Sequence, residues 1–206
     1  MRLPRLNSLL ATGLAAAAAI TSISAAAADA SVRVRGIVAA RDGDQLQVKS
    51  REGELVKIKL APGWRPNAVA RAAITDIKPG DYVGIASLSR TDGGDGALEV
   101  LIFPPQMKGV GEGSFGWDLQ KDSSMTNATV SNAVKSVEGS TVTVTFHGQE
   151  KKIAVPAGTP VVTLTPATPD DVKSGAVVFV SAEMGADGSL TAQHLVVGKN
   201  GVVPPM

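Results

Sequence analysis

The chain reads as an all-β protein: two tandem five-stranded OB-like barrels, each with a short helix between its third and fourth strands. Three observations carry that reading. Short runs alternate apolar and polar residues with period two, Gly-containing dipeptides separate them at hairpin spacing, and the pattern recurs at an offset of 95 residues. That offset superposes Ile58 on Ile153, Leu60 on Val155, Asp76-Ile77-Lys78 on Asp171-Val172-Lys173, Gly80 on Gly175, Val83 on Val178 and Ala97 on Ala192. Upstream the offset is 96, with Gly43 on Gly139 and Val48 on Val144.

Taken in order, residues 1–30 have the form of a secretory signal peptide: Arg2 and Arg5, an Ala-dominated apolar stretch containing Leu9, Leu10, Leu14 and Ile20, then Ala28-Asp29-Ala30. Small residues three and one before the cut suit cleavage after Ala30, with Ala28 as the alternative. Leu-Pro separates the two arginines, so the Sec route is expected rather than the twin-arginine one. The expected product is a periplasmic protein with no stable membrane insertion after cleavage, because no later apolar run reaches the length of a membrane-spanning helix.

In the first repeat, 31–103, strands are expected over 32–40, 45–50, 54–60, 82–88 and 97–103. In the second, 126–198, they are expected over 126–134, 141–146, 151–155, 177–182 and 191–197. Leu46 and Val48 alternate with Gln45, Gln47 and Lys49, and Val56, Ile58 and Leu60 with Lys57 and Lys59, so one face is buried and the other wet. Asp42-Gly43, Glu52-Gly53, Glu138-Gly139, His147-Gly148 and Asp187-Gly188 supply hairpin turns. A helix is expected after Thr168, where Pro169, Asp170 and Asp171 suit a first turn and Gly175 a stop, and over 68–77 in the first half. A Gly-rich junction, 104–125, joins the repeats, and 199–206 form a C-terminal tail.

Composition narrows the chemistry. There are 20 Lys and Arg against 19 Asp and Glu, and removing 1–30 takes Arg2, Arg5 and Asp29 and leaves the charges balanced. A neutral chain lacks the basic footprint of a nucleic-acid binder, so no nucleic-acid partner is expected. With no Cys, disulfides, thiolate metal sites and Cys nucleophiles are excluded.

These features lie in a unit, Gly36-Ile37-Val38, Asp42-Gly43, Asp76-Ile77-Lys78-Pro79-Gly80-Asp81-Tyr82-Val83 and Gly94 to Ala97, that resembles the bacterial domain of unknown function called DUF5666. Nearly the full length is also similar to a group of short exported proteobacterial proteins, through Gly111-Glu112-Gly113, Trp117-Asp118-Leu119, Ser124-Met125-Thr126-Asn127 and the ending Asn200-Gly201-Val202-Val203-Pro204-Pro205-Met206. Members of that group are sometimes labelled metal ABC transporter permeases, a label that one cleaved apolar segment does not support. The resemblance implies a fold and a compartment. It implies no activity.

The candidate interaction residues are Glu112, Ser114, Trp117 and Asp118 in the junction. Gly111 to Gly116 match G-x-G-x-x-G, but Pro104-Pro105 precede them and no helical period follows, so no dinucleotide site is expected. Trp117 is expected to be buried between the two halves, sealing their seam. Met107, Met125, Met184, Met206, His147 and His194 raise copper or zinc binding as an alternative, although neither His has a partner at ligand spacing. The repeat places His147 at a hairpin tip, and His194 on the outer strand face at the position of Glu99. Trp64, with Arg65 and Arg71 nearby, reads as a loop Trp covering an open barrel end. No catalytic, metal or cofactor residues are assigned. The expectation is a non-enzymatic binding or interaction module for a protein or small molecule, with metal handling second and a hydrolase a distant third.

Overall fold

A computed structural model describes residues 30–136 and 139–204. Residues 1–29 of the proposed signal peptide, with the alternative cut after Ala28, Glu138 of one expected turn, and Met206 lie outside them, whereas the proposed cut after Ala30 falls at the described start of the first strand. Among the described residues there are twelve strands: β1 (Ala30–Asp42), β2 (Gln45–Ser50), β3 (Leu55–Arg71), β4 (Tyr82–Ser89), β5 (Asp95–Ile102), β6 (Gly113–Gly116), β7 (Ser124–Ser136), β8 (Gly139–Phe146), β9 (Gln149–Pro156), β10 (Val161–Pro166), β11 (Val177–Met184) and β12 (Leu190–Gly198). The chain is all-β, as its alternation predicts. Leu46, Val48, Ile58 and Leu60 are buried, whereas Lys49, Lys57 and Lys59 face water. At the β8–β9 turn both His147 (φ 46°) and Gly148 (φ 75°) adopt the left-handed conformation that a tight two-residue hairpin requires.

The hydrogen bonding closes a five-stranded barrel. β1 pairs antiparallel with β2 and β11, β2 with β3 and β11 with β12, and a parallel pairing of β3 with β12 completes the ring. The pairings of β4, β5, β9, β8 and β7 also return on themselves, through a short parallel contact in which Asp95 faces Ile153 and Gly96 faces Ala154. Each ring therefore takes three strands from one half of the chain and two from the other. This corrects the tandem arrangement, in which 31–103 and 126–198 each close alone. Each core is mixed accordingly: Val34, Leu46 and Ile58 pack with Val178, Val180 and Leu195, while Val83, Ile85 and Val100 pack with Val142, Val144 and Ile153.

The expected short helices are also absent: among the described residues there is no α-helix. Ile74–Asp76 and Pro169–Asp171 are single 3-10 turns, in which Asp76 and Asp171 accept the N–H of Ala73 and Thr168 at 2.7 and 2.8 Å. Residues 68–71, expected to begin the first helix, instead extend β3, because the backbone there finds partners on both sides: Asn67–Arg71 face β10 antiparallel while β12 lies along the other edge. β10 runs parallel to β5 as well, so β3 and β10 stitch the rings together. Val69, Leu101 and Val162 are buried in this seam, with Phe103, Leu164 and Val196 packed against them.

The junction is more structured than a Gly-rich strap. It contains a 3-10 turn, Pro105–Met107, and β6, which hydrogen-bonds to β7. Beyond β6 the loop from Trp117 to Ser123 is closed by the Trp117 N–H to the Ser123 carbonyl (2.8 Å) and by Ser123 Oγ donating to the carbonyls of Trp117 and Gln120.

Candidate functional site

β1 presents alternate residues to the barrel interior, so Val34 is in the core while Arg33 and Arg35 project outward. On neighbouring β11, Phe179 faces Arg35 in register and sits between the core residues Val178 and Val180. The junction lays Trp117 on this outer face. The Arg33 guanidinium lies 4.0 Å from the Trp117 ring centroid, Phe179 stacks at 6.3 Å, and Phe115 meets the indole edge-on at 6.1 Å. A cation over an indole face is attracted by the ring quadrupole. Arg35 donates to Asp118 Oδ1 at 2.8 Å, with Arg33 at 3.7 Å. Partial burial works to raise the Asp118 carboxyl, but the bond from Arg35 and the two positive charges outweigh it and hold the group below the usual carboxylate range.

The other side of Trp117 meets the outer face of the second ring. Here a cavity of about 70 Å³ is lined by Trp117 and Phe115 together with Gly84, Glu99, Phe103 and Met125, and completed by Leu101 and Asn127. Gly84 makes the room: a Cβ there would stand 2.8 Å from Asn127 Oδ1 and 3.2 Å from the Phe103 ring. Glu99 is 9% exposed, its Oε1 has no hydrogen-bond partner in the protein, and the same holds for the indole Nε1 of Trp117. Burial pushes the Glu99 carboxyl up to about 7, against the opposing pull of Arg35 and Arg51. Glu99 also borders a wider cleft of about 430 Å³ that contains Arg51, Arg71 and the tail residues Gly201–Pro204.

The four expected interaction residues divide between two places. Trp117 and Asp118 are on the face just described, although Trp117 is half-buried rather than sealed in. Glu112 accepts the His147 N–H at 2.9 Å and so ties the junction to the β8–β9 turn. Ser114 shares a hydrogen bond with Thr126 (3.0 Å) and receives Lys151, which is paired with Asp95 at 2.6 Å. Both serve the packing of β6.

Sequence reasoning missed Arg33, Arg35, Glu99 and Phe179. Glu99 carried a signal, a lone carboxylate in the run Ala97-Leu98-Glu99-Val100-Leu101-Ile102, but the repeat assigned it the exposed face of His194. His194 is exposed; Glu99 is buried and lines a cavity with the junction residues Phe115 and Trp117. Trp64 packs partly buried against the first core, and its cation is Arg41, at 5.7 Å, rather than Arg65 or Arg71.

No family model, curated protein or solved structure matches this chain. Among the described residues, no three His, Asp or Glu side chains converge as a metal site, and no helix is long and apolar enough to cross a membrane.

Proposed function

We propose that this chain is a non-enzymatic binding module of the periplasm, exported by the Sec route, that takes its ligand against the face built around Trp117. One observation carries the reading. A buried carboxylate oxygen and an indole N–H belong to residues lining one cavity, and neither has a partner within the protein. Leaving such groups unpaired is costly, on the order of 1–3 kcal/mol each, so a partner from outside the protein, a water, an ion or a ligand, is favoured at each. The junction hydroxyl Ser114 is engaged by Thr126 and Lys151 rather than by a histidine base, which favours binding over hydrolysis.

The reading extends to ancestry. The DUF5666 resemblance fits a duplicated OB-like unit whose last two strands are exchanged between copies. The pairings support it. Val83 facing Ile102 recurs 95 residues on as Val178 facing Val197, and Gly96 facing Ala154 corresponds to Thr191 facing Lys59. The β3–β10 pairing maps onto itself under the same offset, centred on Val69 and Leu164, as a two-fold relation requires. Metal handling keeps one point of support, that Met125 and Glu99 both line this cavity.

A thermal-shift screen of small molecules and of copper and zinc ions, run on the native chain and on Phe115→Ala, tests the reading. A ligand that raises the melting temperature of the native chain and not of the variant supports it. Ligands that stabilise both equally place binding elsewhere and overturn it.

A further inference from the structure

We propose that the first ring takes up an extended peptide of a partner protein as an added strand along β1, in the place that β6 fills on the second ring. The inference does not depend on the Trp117 cavity. The two rings superpose through their hydrogen bonds. Val38 on β1 donates to the Ala176 carbonyl (2.8 Å) and accepts from Gly175 (2.9 Å), while Val130 on β7 donates to Asp81 (2.8 Å) and accepts from Gly80 (2.8 Å). Gly80 and Asp81 are the repeat counterparts of Gly175 and Ala176, so Val130 is the counterpart of Val38. Counted back along each strand, Ser124, Met125 and Thr126 correspond to Val32, Arg33 and Val34. On β7 those residues have β4 along one edge and β6 along the other, with Ser114 facing Thr126, Phe115 facing Met125 and Gly116 facing Ser124. On β1, Val32–Val34 pair with β11 alone, because the pairing with β2 begins at Gly36. Among the described residues no strand lies on their other edge. The Arg35 carbonyl turns to that side and accepts the Arg51 N–H at 3.0 Å, so the alternation of an antiparallel ladder turns the backbone N–H and C=O of Arg33 the same way. Such an edge is a template for a further strand.

The space and its chemistry fit that occupant. Val32–Val34 line a cleft of about 500 Å³ bounded by the β2–β3 turn and by Asp118 and Leu119 of the junction. In the second ring the inward residue of β6, Ser114, bonds Thr126 at 3.0 Å, Lys151 reaches both, and Asp95 pairs with Lys151 at 2.6 Å. The counterparts of Thr126, Lys151 and Asp95 in the first ring are Val34, Val56 and Leu190, and all three line the cleft. A polar socket that holds a serine has become an apolar one. An inward apolar side chain on the added strand complements it, since burying a hydroxyl there would leave it unpaired. The rim carries both signs, Arg51 beside Glu52 and Glu54, so selection falls on the main chain and the inward position rather than on charge. A second copy is the poorer occupant. Pairing two β1 edges about Arg33 would set like charges directly opposite one another.

The test follows backbone amide signals of the ¹⁵N-labelled full chain during titration with a blocked heptapeptide of residues 110–116 carrying Ser114→Val. The comparison probes are the same heptapeptide with Ser114 kept, and the Val peptide N-methylated at Phe115, the residue set opposite Arg33. The expected result is a saturable shift of the Arg33 and Val34 amides and slowed hydrogen exchange at Arg33, with Met125 and Asn127 unmoved. The serine peptide should bind at least about fivefold more weakly, because its hydroxyl meets an apolar wall. The N-methylated peptide should bind at least about tenfold more weakly, because it loses a ladder hydrogen bond. In the protein, Val56→Lys sets in the first ring the cation that the second ring has at Lys151, and should abolish the preference for the Val peptide; its melting curve checks that the fold is kept. Shifts at Met125 and Asn127 in place of Arg33 would show the peptide displacing β6 and overturn the proposal. Equal binding of the three peptides to the native chain overturns it too, as does an Arg33 amide that responds to none of them. An Arg33 signal that moves with protein concentration alone assigns the edge to a second copy and overturns the peptide.

Discussion

Glu99 shows how one side chain changes character with its surroundings. On an isolated β5 it would stand on the wet face, as His194 does on β12. Buried in the folded chain, its carboxyl rises from the ordinary 4.5 to about 7 because burial disfavours the charge more than Arg35 and Arg51 restore it. The stability consequence has a definite sign. A carboxyl whose folded-state pKa is raised favours folding most when it is protonated. That contribution is fully present below pH 4.5 and lost as pH rises through 7. The difference is on the order of 3 kcal/mol at 1.36 kcal/mol per pKa unit. Thermal melts of the native chain should therefore decline between pH 5 and 8, while Glu99→Gln should show a flatter profile and the higher melting temperature at pH 8. A native profile that rises over that interval would show that Glu99 is held as a stabilised anion.

At the scale of single elements, β1 carries the tightest packing constraint. It is bonded to β2 on one edge and β11 on the other, and Gly36 lies where both pairings meet, facing Ser50 and Val178. A Cβ at Gly36 would fall 2.1 Å from the Lys49 carbonyl oxygen, a backbone atom that cannot swing away. Gly36→Ala should therefore destabilise by about 3 kcal/mol or more, read from urea denaturation. Gly116 is the control, since an added Cβ there has open space. Equal midpoints for the two alanine variants would mean that β1 and β2 can part at Gly36 without cost.

For the molecule as a whole, the exchange of strands makes each half structurally dependent on the other. Neither hydrophobic core can be assembled from one half alone in the observed arrangement, since β11 and β12 complete the first ring and β4 and β5 the second. Lys108 lies exposed in the junction. Cutting an engineered protease site between Lys108 and Gly109 should leave two fragments that co-elute in size-exclusion chromatography and separate only in denaturant. Fragments that part under native conditions would indicate that each half closes by itself.

What the sequence determined by itself was local. Period-two alternation located ten of the strands, and Asp42-Gly43 and His147-Gly148 marked hairpin turns, because side-chain alternation and left-handed backbone are properties of a few adjacent residues. Trp117 and Asp118 were legible as candidates because an aromatic and an acid stand out among glycines. The tertiary structure decided what lies far apart in the chain. Two halves with the same pattern offer equivalent strand edges, so alternation cannot say whether β12 or β5 completes the ring begun by β1, β2 and β3. The same non-local pairing turned 68–71 from an expected helix into strand, and it buried Glu99 while leaving His194 in water. A backbone satisfies its hydrogen bonds with whatever edge the packed chain brings to it, and a carboxylate's environment is set by what covers it; neither is written in its neighbours in sequence.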